Sequence, residues 1–301
     1  MHIVIAGGSG FVGKKLTQAL LKDHHHVYIL TRNTANKKSS PNLHYVQWLN
    51  DGDRPEESIA HMDAIINLAG TSLNSGRWTE NRKKDIIGSR LKATKEIRRL
   101  ISVSSAKPAV LLNASAIGYY GTSETETFTE TDIRPPSDFL SETVHKWEAE
   151  AIEAQSAGIR TVLMRFGVIL DKEQGALPQI GIPYKLYVGG PVGKGKQVLS
   201  WIHIDDIIQA AVFCLMNGHI QGPVNFTAPH PQTMSEFGKT LAVVLNRPYW
   251  MPAPSFLLKL GLGEKSILVL EGQRVLPERL LASGYSFLFP TLKEALENIM
   301  K

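Results

Sequence analysis

The stretch Gly7-Gly8-Ser9-Gly10-Phe11-Val12-Gly13 constrains this chain more than any other. It comes after a short β-branched run, His2 to Ala6. It opens a segment of helical spacing, Phe11 to Lys22, whose apolar side is Val12, Leu16, Ala19 and Leu20. Glycines at 7, 10 and 13 give a G-x-x-G-x-x-G spacing. A tight turn and a close backbone approach to a pyrophosphate both call for residues without a Cβ. Gly13 lets the helix pack close to the strand, and free N–H groups at the helix start then hold a diphosphate. A strand before and a helix after, within one βαβ unit, make the string a dinucleotide-binding signal and not only a turn.

Strand and helix signals go on alternating. His26 to Leu30, Ala64 to Leu68, Ala109 to Asn113 and Thr161 to Phe166 read as strands, and Arg82 to Ser102 and Phe139 to Gln155 as helices. The run at 64–68 is apolar except for Asn67, close to what a sheet covered on both faces requires. The pattern predicts an α/β fold, a Rossmann-type doubly wound parallel sheet, with a smaller C-terminal α/β lobe over the cofactor edge. The Rossmann domain is expected over 1–230, with 171–197 contributing to the substrate lobe, and a small substrate-cap domain over 231–301. Residues 171–201 are punctuated by Gly, Pro and aromatics, and residues 231–301 read as short helices and Pro-rich links. A helix begins near His203, and adjacent Asp205 and Asp206 read as capping residues at its N-terminus.

The residues just past the second strand bear on the choice of cofactor. NAD sites commonly place an acid there for the ribose hydroxyls. This chain has Thr31-Arg32-Asn33 and no acid. The planar fork of Arg32 suits a 2′-phosphate, and Lys37 and Lys38 add positive field. NADP(H) is therefore expected in preference to NAD(H).

The net charge is +5, and its basic residues are scattered with no basic tract interleaved with aromatics, so no nucleic-acid partner is expected. No apolar run reaches the length of a membrane span, so no membrane partner is expected either. Met1 leads straight into a strand, so no signal peptide is expected. Cys214 is the only cysteine, which fits a reducing, cytoplasmic setting, and its apolar neighbours read as a helix core. His24-His25-His26 sits on an emerging strand whose side chains alternate, so the three do not converge on a metal.

The chain resembles the extended class of short-chain dehydrogenases/reductases over essentially its whole length. Asp63-Ala-Ile-Ile-Asn67-Leu-Ala-Gly70, Tyr119-Tyr120-Gly121 and Trp201-Ile-His-Ile-Asp205-Asp206 carry that resemblance. Arg77-Trp78, Gly88-Ser89-Arg90, Lys146-Trp147-Glu148, Arg165-Phe-Gly-Val-Ile-Leu170 and Leu276-Pro-Glu-Arg-Leu280 resemble an atypical subgroup, the epimerase family proteins. Leu270 to Ala295 resembles that subgroup's small terminal domain of unknown function. The resemblance implies that Leu68, Ala69 and Gly70 line the adenosine and nicotinamide-ribose side of a cofactor, and that Val168 lies near the nicotinamide. Arg90 stands where typical members have an asparagine, in reach of the cofactor or an anionic substrate. A homodimer is a possible assembly, since related enzymes pair through two helices.

The class works by general acid–base catalysis, with a Tyr and a Lys four residues later on one helix face. The matching helix here reads Phe139-Leu-Ser-Glu-Thr-Val-His-Lys-Trp-Glu148 and holds no Tyr. Aligned on Glu148, the pair becomes Leu140 and Val144; sliding by one gives Ser141 and His145, and by two Glu142 and Lys146. Counting back from Tyr120-Gly121, the class's Ser/Thr position falls on Ala116 or Ser115. Ser115, Tyr119 and Glu142 are the catalytic candidates, with Tyr120, His145 and Lys146 behind them. Trp147 reads as core. Arg165 ends a strand where related proteins meet substrate.

An NADP(H)-dependent oxidoreductase or epimerase acting on a small molecule is therefore expected. An anionic substrate would suit Arg77, Arg90 and Arg165. The rival reading is a dinucleotide-binding sensor or scaffold that has lost catalysis, connected by a label on some similar proteins with cell division.

Overall fold

The apolar runs of the first half become strands buried on both faces. In the computed structural model, which describes residues 1–301, they are β1 (His2–Ala6), β2 (His26–Thr31), β4 (Ala64–Asn67) and β5 (Val110–Ala116), with the half-buried β3 (Leu43–Gln47) following β2 in the chain. Between them run α1 (Phe11–Lys22) and α2 (Glu80–Val103). A two-residue strand, β6 (Thr127–Phe128), then leaves the sheet before α3 (Phe139–Ile152), β7 (Arg160–Phe166) and β8 (Val168–Leu170). The chain continues through α4 (Leu177–Lys185), β9 (Val198–Leu199), β10 (Trp201–His203), α5 (Ile204–Met216) and β11 (Gly222–Phe226).

Seven of these strands form one sheet in the order β11-β7-β5-β4-β1-β2-β3, parallel throughout. Side chains along a strand alternate between faces, and the core divides accordingly. Ile3, Ile5, Ala64, Ile66, Val110 and Leu112 pack with α1 and α5. Val4, Ala6, Ile65 and Leu111 pack with α2. The strand order reverses direction at β1, so the crevice between the C-terminal ends of β1 and β4 is the switch point where open α/β sheets take ligands.

Three elements depart from the sequence expectation. β3 is a half-buried edge strand with His44 and Gln47 in it, too polar to read as a core strand. β11 closes the other edge and opens on Gly222-Pro223, which an edge strand tolerates. α4 forms within the Gly- and Pro-punctuated stretch, to which the sequence assigned no element, although Pro183 lies inside it.

The rest of the chain supplies β12 (Gln232–Thr233), α6 (Met234–Leu245), α7 (Ser255–Leu262), α8 (Ile267–Leu270), β13 (Arg274–Val275), α9 (Glu278–Ala282) and α10 (Leu292–Met300). Trp201, Phe237, Leu241, Leu292 and Leu296 share a core there with Leu177 and Tyr184 of α4. This lobe is stitched into the Rossmann body. β13 pairs with β6, β12 with β9, and Leu280 and Tyr285 lie in the same core as α1 and α5.

Asp206 is part of that stitching, and its expected role as a helix cap needs correcting. Its fully buried carboxylate accepts hydrogen bonds from Leu288 N (2.7 Å), Phe289 N (3.0 Å) and Tyr285 Oη (3.0 Å). Burial pushes its pKa up against those three bonds. The cap of α5 is His203, whose Nδ1 accepts from Asp205 N at 3.0 Å.

Candidate functional site

The glycine turn is closed by backbone. Gly10 N donates to Gly7 O at 2.9 Å, and Gly7 sits at φ +80, in the left-handed region. A Cβ on Gly7 would lie 2.7 Å from Leu68 C and O, and one on Gly13 would lie 2.2 Å from Gly7 O. Side chains there would fill the space in which strand, turn and helix meet. α1 starts with no side-chain cap and no acid in its first turn, and the N–H groups of Phe11, Val12 and Gly13 donate to no protein acceptor. A helix start left open in this way suits an anion. Phe11 packs beneath Gly175, and Lys15 pairs with Asp171 at 3.0 Å, so residues 171–175 fold over α1.

Beyond β2 the backbone is pinned while the charge stays free. Thr31 Oγ1 donates to Asn33 O, Ala35 N donates to Asn33 Oδ1, and Asn50 Nδ2 donates to Arg32 O at 3.0 Å. The Arg32 side chain is exposed and pairs with no carboxylate. Asn50 thus fixes the Arg32 backbone, a contact that nothing in its sequence spacing announces.

Below the end of β4 lies a buried polar network. Asn67 donates to Asn113 Oδ1 (2.7 Å) and Thr94 Oγ1 (3.1 Å) and accepts from Ala69 N. Trp147 Nε1 also donates to Thr94 Oγ1. The network fixes the Leu68-Ala69-Gly70 segment. Arg90 packs against Gly70, donates to Thr71 O and Ile86 O, and lies over Trp147 at 5.0 Å. Burial, helped by the charge of Arg82, pushes its pKa down to about 10, so it is still charged at neutral pH. This is a half-buried cation with no carboxylate partner. Val168, half-buried in β8, pairs with Trp201 on the neighbouring short strand.

The candidate catalytic residues separate. Ser115 is buried and donates inward to Glu148 Oε1, so its hydroxyl faces the protein and not the cleft. Glu148 in turn holds Arg165 through two parallel bonds of 2.8 Å each. Burial opposes the Arg165 charge, but Glu148 outweighs it and holds the guanidinium above its ordinary pKa. Tyr120 Oη donates to Asn225 Oδ1 and accepts from Arg165 Nη1, both at 2.8 Å, and burial pushes its pKa up to about 12.

Tyr119 differs from its neighbour. Its ring lies between the Arg165 guanidinium (3.5 Å) and the stacked His145 ring (4.1 Å). The Tyr119 hydroxyl makes no hydrogen bond within the protein and is not enclosed. Glu142 is exposed and paired with Lys146 at 2.6 Å, and the structure does not bring it to Ser115 or Tyr119. A Cβ built on Gly118 would lie 3.6 Å from Leu140 Cβ and 3.8 Å from Val144 Cγ2, so apolar groups line α3 beside the Tyr119 turn.

Two of the three arginines expected to receive an anionic substrate are engaged elsewhere. Arg77 donates to Leu260 O (3.1 Å) and Gly261 O (3.2 Å) at the end of α7, where a cation complements the helix dipole. Arg165 is neutralised by Glu148. Only Arg90 keeps an unpaired charge. Arg77 acts instead with the Lys83–Glu264 pair (2.7 Å) and the Lys265–Asn74 bond to hold the C-terminal lobe against the β4–α2 loop. A cleft below this strap is lined by Thr122, Ser137 and Asp138 on one side and Lys259, Glu264, Ser266 and Glu271 on the other.

Comparison with known proteins agrees with this architecture. The profile of the NAD dependent epimerase/dehydratase family matches residues 3–225, and a domain of unknown function, DUF1731, matches 253–299. The Bacillus subtilis epimerase family protein YfhF is 48% identical over 300 residues, covering 100% of this chain and 98% of the relative. An epimerase family protein of Staphylococcus saprophyticus is 42% identical, covering 99% of each. The crystal structure of human epimerase family protein SDR39U1 with NADPH superposes with a TM-score of 0.87 at 33% identity over 99% of both chains. UDP-glucuronic acid 4-epimerase from Bacillus cereus, with UDP-glucuronic acid and NAD, shares the fold at a TM-score of 0.79 and 16% identity, over 99% of this chain and 98% of that one.

Proposed function

Because the chain belongs to the NAD dependent epimerase/dehydratase family, we propose that it binds NADP(H) in the Gly7–Gly13 turn and acts as an oxidoreductase or epimerase on a small molecule. The observation that carries the reading is the glycine cradle, in which a Cβ on Gly13 would meet Gly7 O at 2.2 Å and three amides are left without acceptors. The human relative was crystallised with NADPH, whereas the more distant Bacillus cereus epimerase holds NAD. The preference for NADP(H) rests on Arg32 and on the lack of an acid after β2.

Each residue of the site has its own task. The amides of Phe11, Val12 and Gly13 would hold the diphosphate, Arg32 would pair with the 2′-phosphate, and Arg90 supplies a half-buried positive charge beside Gly70. Leu68, Ala69 and Val168 wall the site and exclude water. The chemistry that a nicotinamide bound here would supply is hydride transfer. Tyr119 is the residue that exchanges a proton with the substrate oxygen, since its hydroxyl is the one near this turn without an internal partner. Ser115 and Glu148 hold Arg165 under it as positioning residues. The apolar pair Leu140 and Val144 favours a second reading, a dinucleotide-binding sensor without turnover.

Titrating the cofactor-stripped protein with NADPH and NADH tests the cofactor assignment. Arg32→Asp is expected to weaken NADPH about tenfold to a hundredfold, the worth of a charge-assisted contact, while NADH holds or gains. Equal affinities that the substitution leaves unchanged would remove Arg32 from the site.

Tyr119 is tested by NADPH oxidation in a screen of carbonyl compounds. Tyr119→Phe is expected to lower turnover about a hundredfold or more with stability unchanged. Tyr120→Phe is expected to cost about 1 kcal/mol of stability and much less turnover. A Tyr119→Phe protein as fast as the wild type would sink the assignment. Tight NADPH binding with no turnover on any substrate would favour the sensor.

A further inference from the structure

One helix of the C-terminal lobe has no buried residue. α7 reads Ser255-Phe-Leu-Leu-Lys-Leu-Gly-Leu262, and none of its side chains is enclosed. Phe256 (69% exposed) and Leu260 (76%) stand one turn apart on the same face. The surface continues into the preceding segment. Trp250, 60% exposed, donates from Nε1 to Tyr187 O, and the Arg247 guanidinium lies over the Tyr187 ring at 4.5 Å. A bridge between Val192 and Ala253 runs the two segments side by side. A lone exposed leucine needs no explanation, but a contiguous patch of Tyr, Trp, Phe and Leu marks a contact surface.

The segments that build this patch carry charge of one sign, and the acids nearest to it, Asp138, Glu264 and Glu271, lie in the cleft beside Lys259. Residues 174–204 and 237–263 contain no Asp or Glu, and they carry Lys185, Lys194, Lys196, Lys239, Arg247 and Lys259. The nearest acid in sequence, Glu264, is taken up by Lys83 at 2.7 Å. We propose that this face is a docking surface for the headgroup region of an anionic lipid bilayer, with Phe256, Leu257, Leu260 and Trp250 entering the interface and Lys185 and Arg247 meeting lipid phosphates. Aromatic and aliphatic side chains flanked by cations are what an interfacial helix needs, and Trp and Tyr suit the headgroup level. A second copy fits less well, because a two-fold contact through this face would set its cations against themselves. The sequence expectation of no membrane partner considered only spanning segments. No helix is long and apolar enough to cross a membrane, and an interfacial contact does not require one.

The test is co-sedimentation of the full chain with vesicles of phosphatidylcholine alone and of phosphatidylcholine mixed with phosphatidylserine. The protein is expected to partition onto the phosphatidylserine vesicles, more weakly onto phosphatidylcholine, and less as salt rises. Phe256→Ser and Leu260→Ser are each expected to lower partitioning by about tenfold, and Arg247→Gln by about fivefold, with unfolding temperatures like that of the wild type. Failure to bind phosphatidylserine vesicles, or binding indifferent to Phe256→Ser, overturns the proposal. So does self-association in sedimentation equilibrium that Phe256→Ser abolishes, since the occupant would then be a second copy.

Discussion

Glu148→Ala is expected to destabilise the folded chain by about 3–5 kcal/mol, the usual loss when one member of a buried ion pair is removed. Glu148 and Arg165 have side chains only 5% and 4% exposed, and the carboxylate satisfies both Nε and Nη2 of the guanidinium while also accepting from Ser115. Removing it leaves a desolvated cation and an orphaned hydroxyl in the centre of the sheet. The disturbance should spread, because Arg165 also holds Tyr120, Tyr120 holds Asn225, and Asn225 Nδ2 donates to Leu276 O of the C-terminal lobe. Urea unfolding measures the loss. Replacing both partners, as Glu148→Leu with Arg165→Met, is expected to recover most of the stability, since an apolar pair leaves no buried charge. The double variant removes the cation beneath Tyr119, so stability should return without turnover. A loss below about 1 kcal/mol for Glu148→Ala would mean that water reaches the pair, and that a fixed Arg165 does not position Tyr119.

The parts of this molecule that could be read from sequence are those where chemistry forbids alternatives. The turn at residues 7–13 was legible because a strand, a tight turn and a helix start meet where Gly7 and Gly13 leave no room for a Cβ. The central strands were legible because sheets covered on both faces need unbroken apolar runs. The edge strands β3 and β11 were not, since His44, Gln47 and Pro223 are permitted where one side of a strand lacks a partner. The site divides in the same way. Arg32 stands out by type and position. Ser115, Glu148, Arg165 and Tyr120 join across separations of 33, 17 and 45 residues, and no local spacing announces such a network. Ser115 looked catalytic by counting along the chain, and its hydroxyl proved to point inward. Arg77 looked like an anion site by charge, but a helix end claims it. A residue's type limits its chemistry, and only its neighbours decide whether that chemistry is free to act.

Gly13→Ala and Gly88→Ala should move in opposite directions, though both put alanine for glycine in a helix. Helix propensity alone predicts a gain of about 0.5–1 kcal/mol at each position. At Gly88, inside α2, a new Cβ meets nothing within 4 Å, so the gain should appear in full and NADPH affinity should hold. At Gly13 the Cβ would fall 2.2 Å from Gly7 O and 2.7 Å from Gly8 Cα. Both are backbone atoms, and the turn cannot yield easily, because Gly10 N holds Gly7 O and the Leu68 backbone lies directly behind Gly7. Overpacking of this kind costs about 1–3 kcal/mol and should reverse the sign of the propensity effect. The larger consequence falls on binding. Pushing α1 away from the turn spreads the amides of Phe11, Val12 and Gly13, which act on a diphosphate only if they converge. NADPH affinity is expected to drop by about a hundredfold or more, equivalent to losing about 2.7 kcal/mol of contact. Thermal unfolding and a fluorescence titration of the two variants side by side separate these effects. If Gly13→Ala is stabilised and binds NADPH like Gly88→Ala, the contact between turn and helix does not shape the cradle, and the assignment of the dinucleotide to this turn falls.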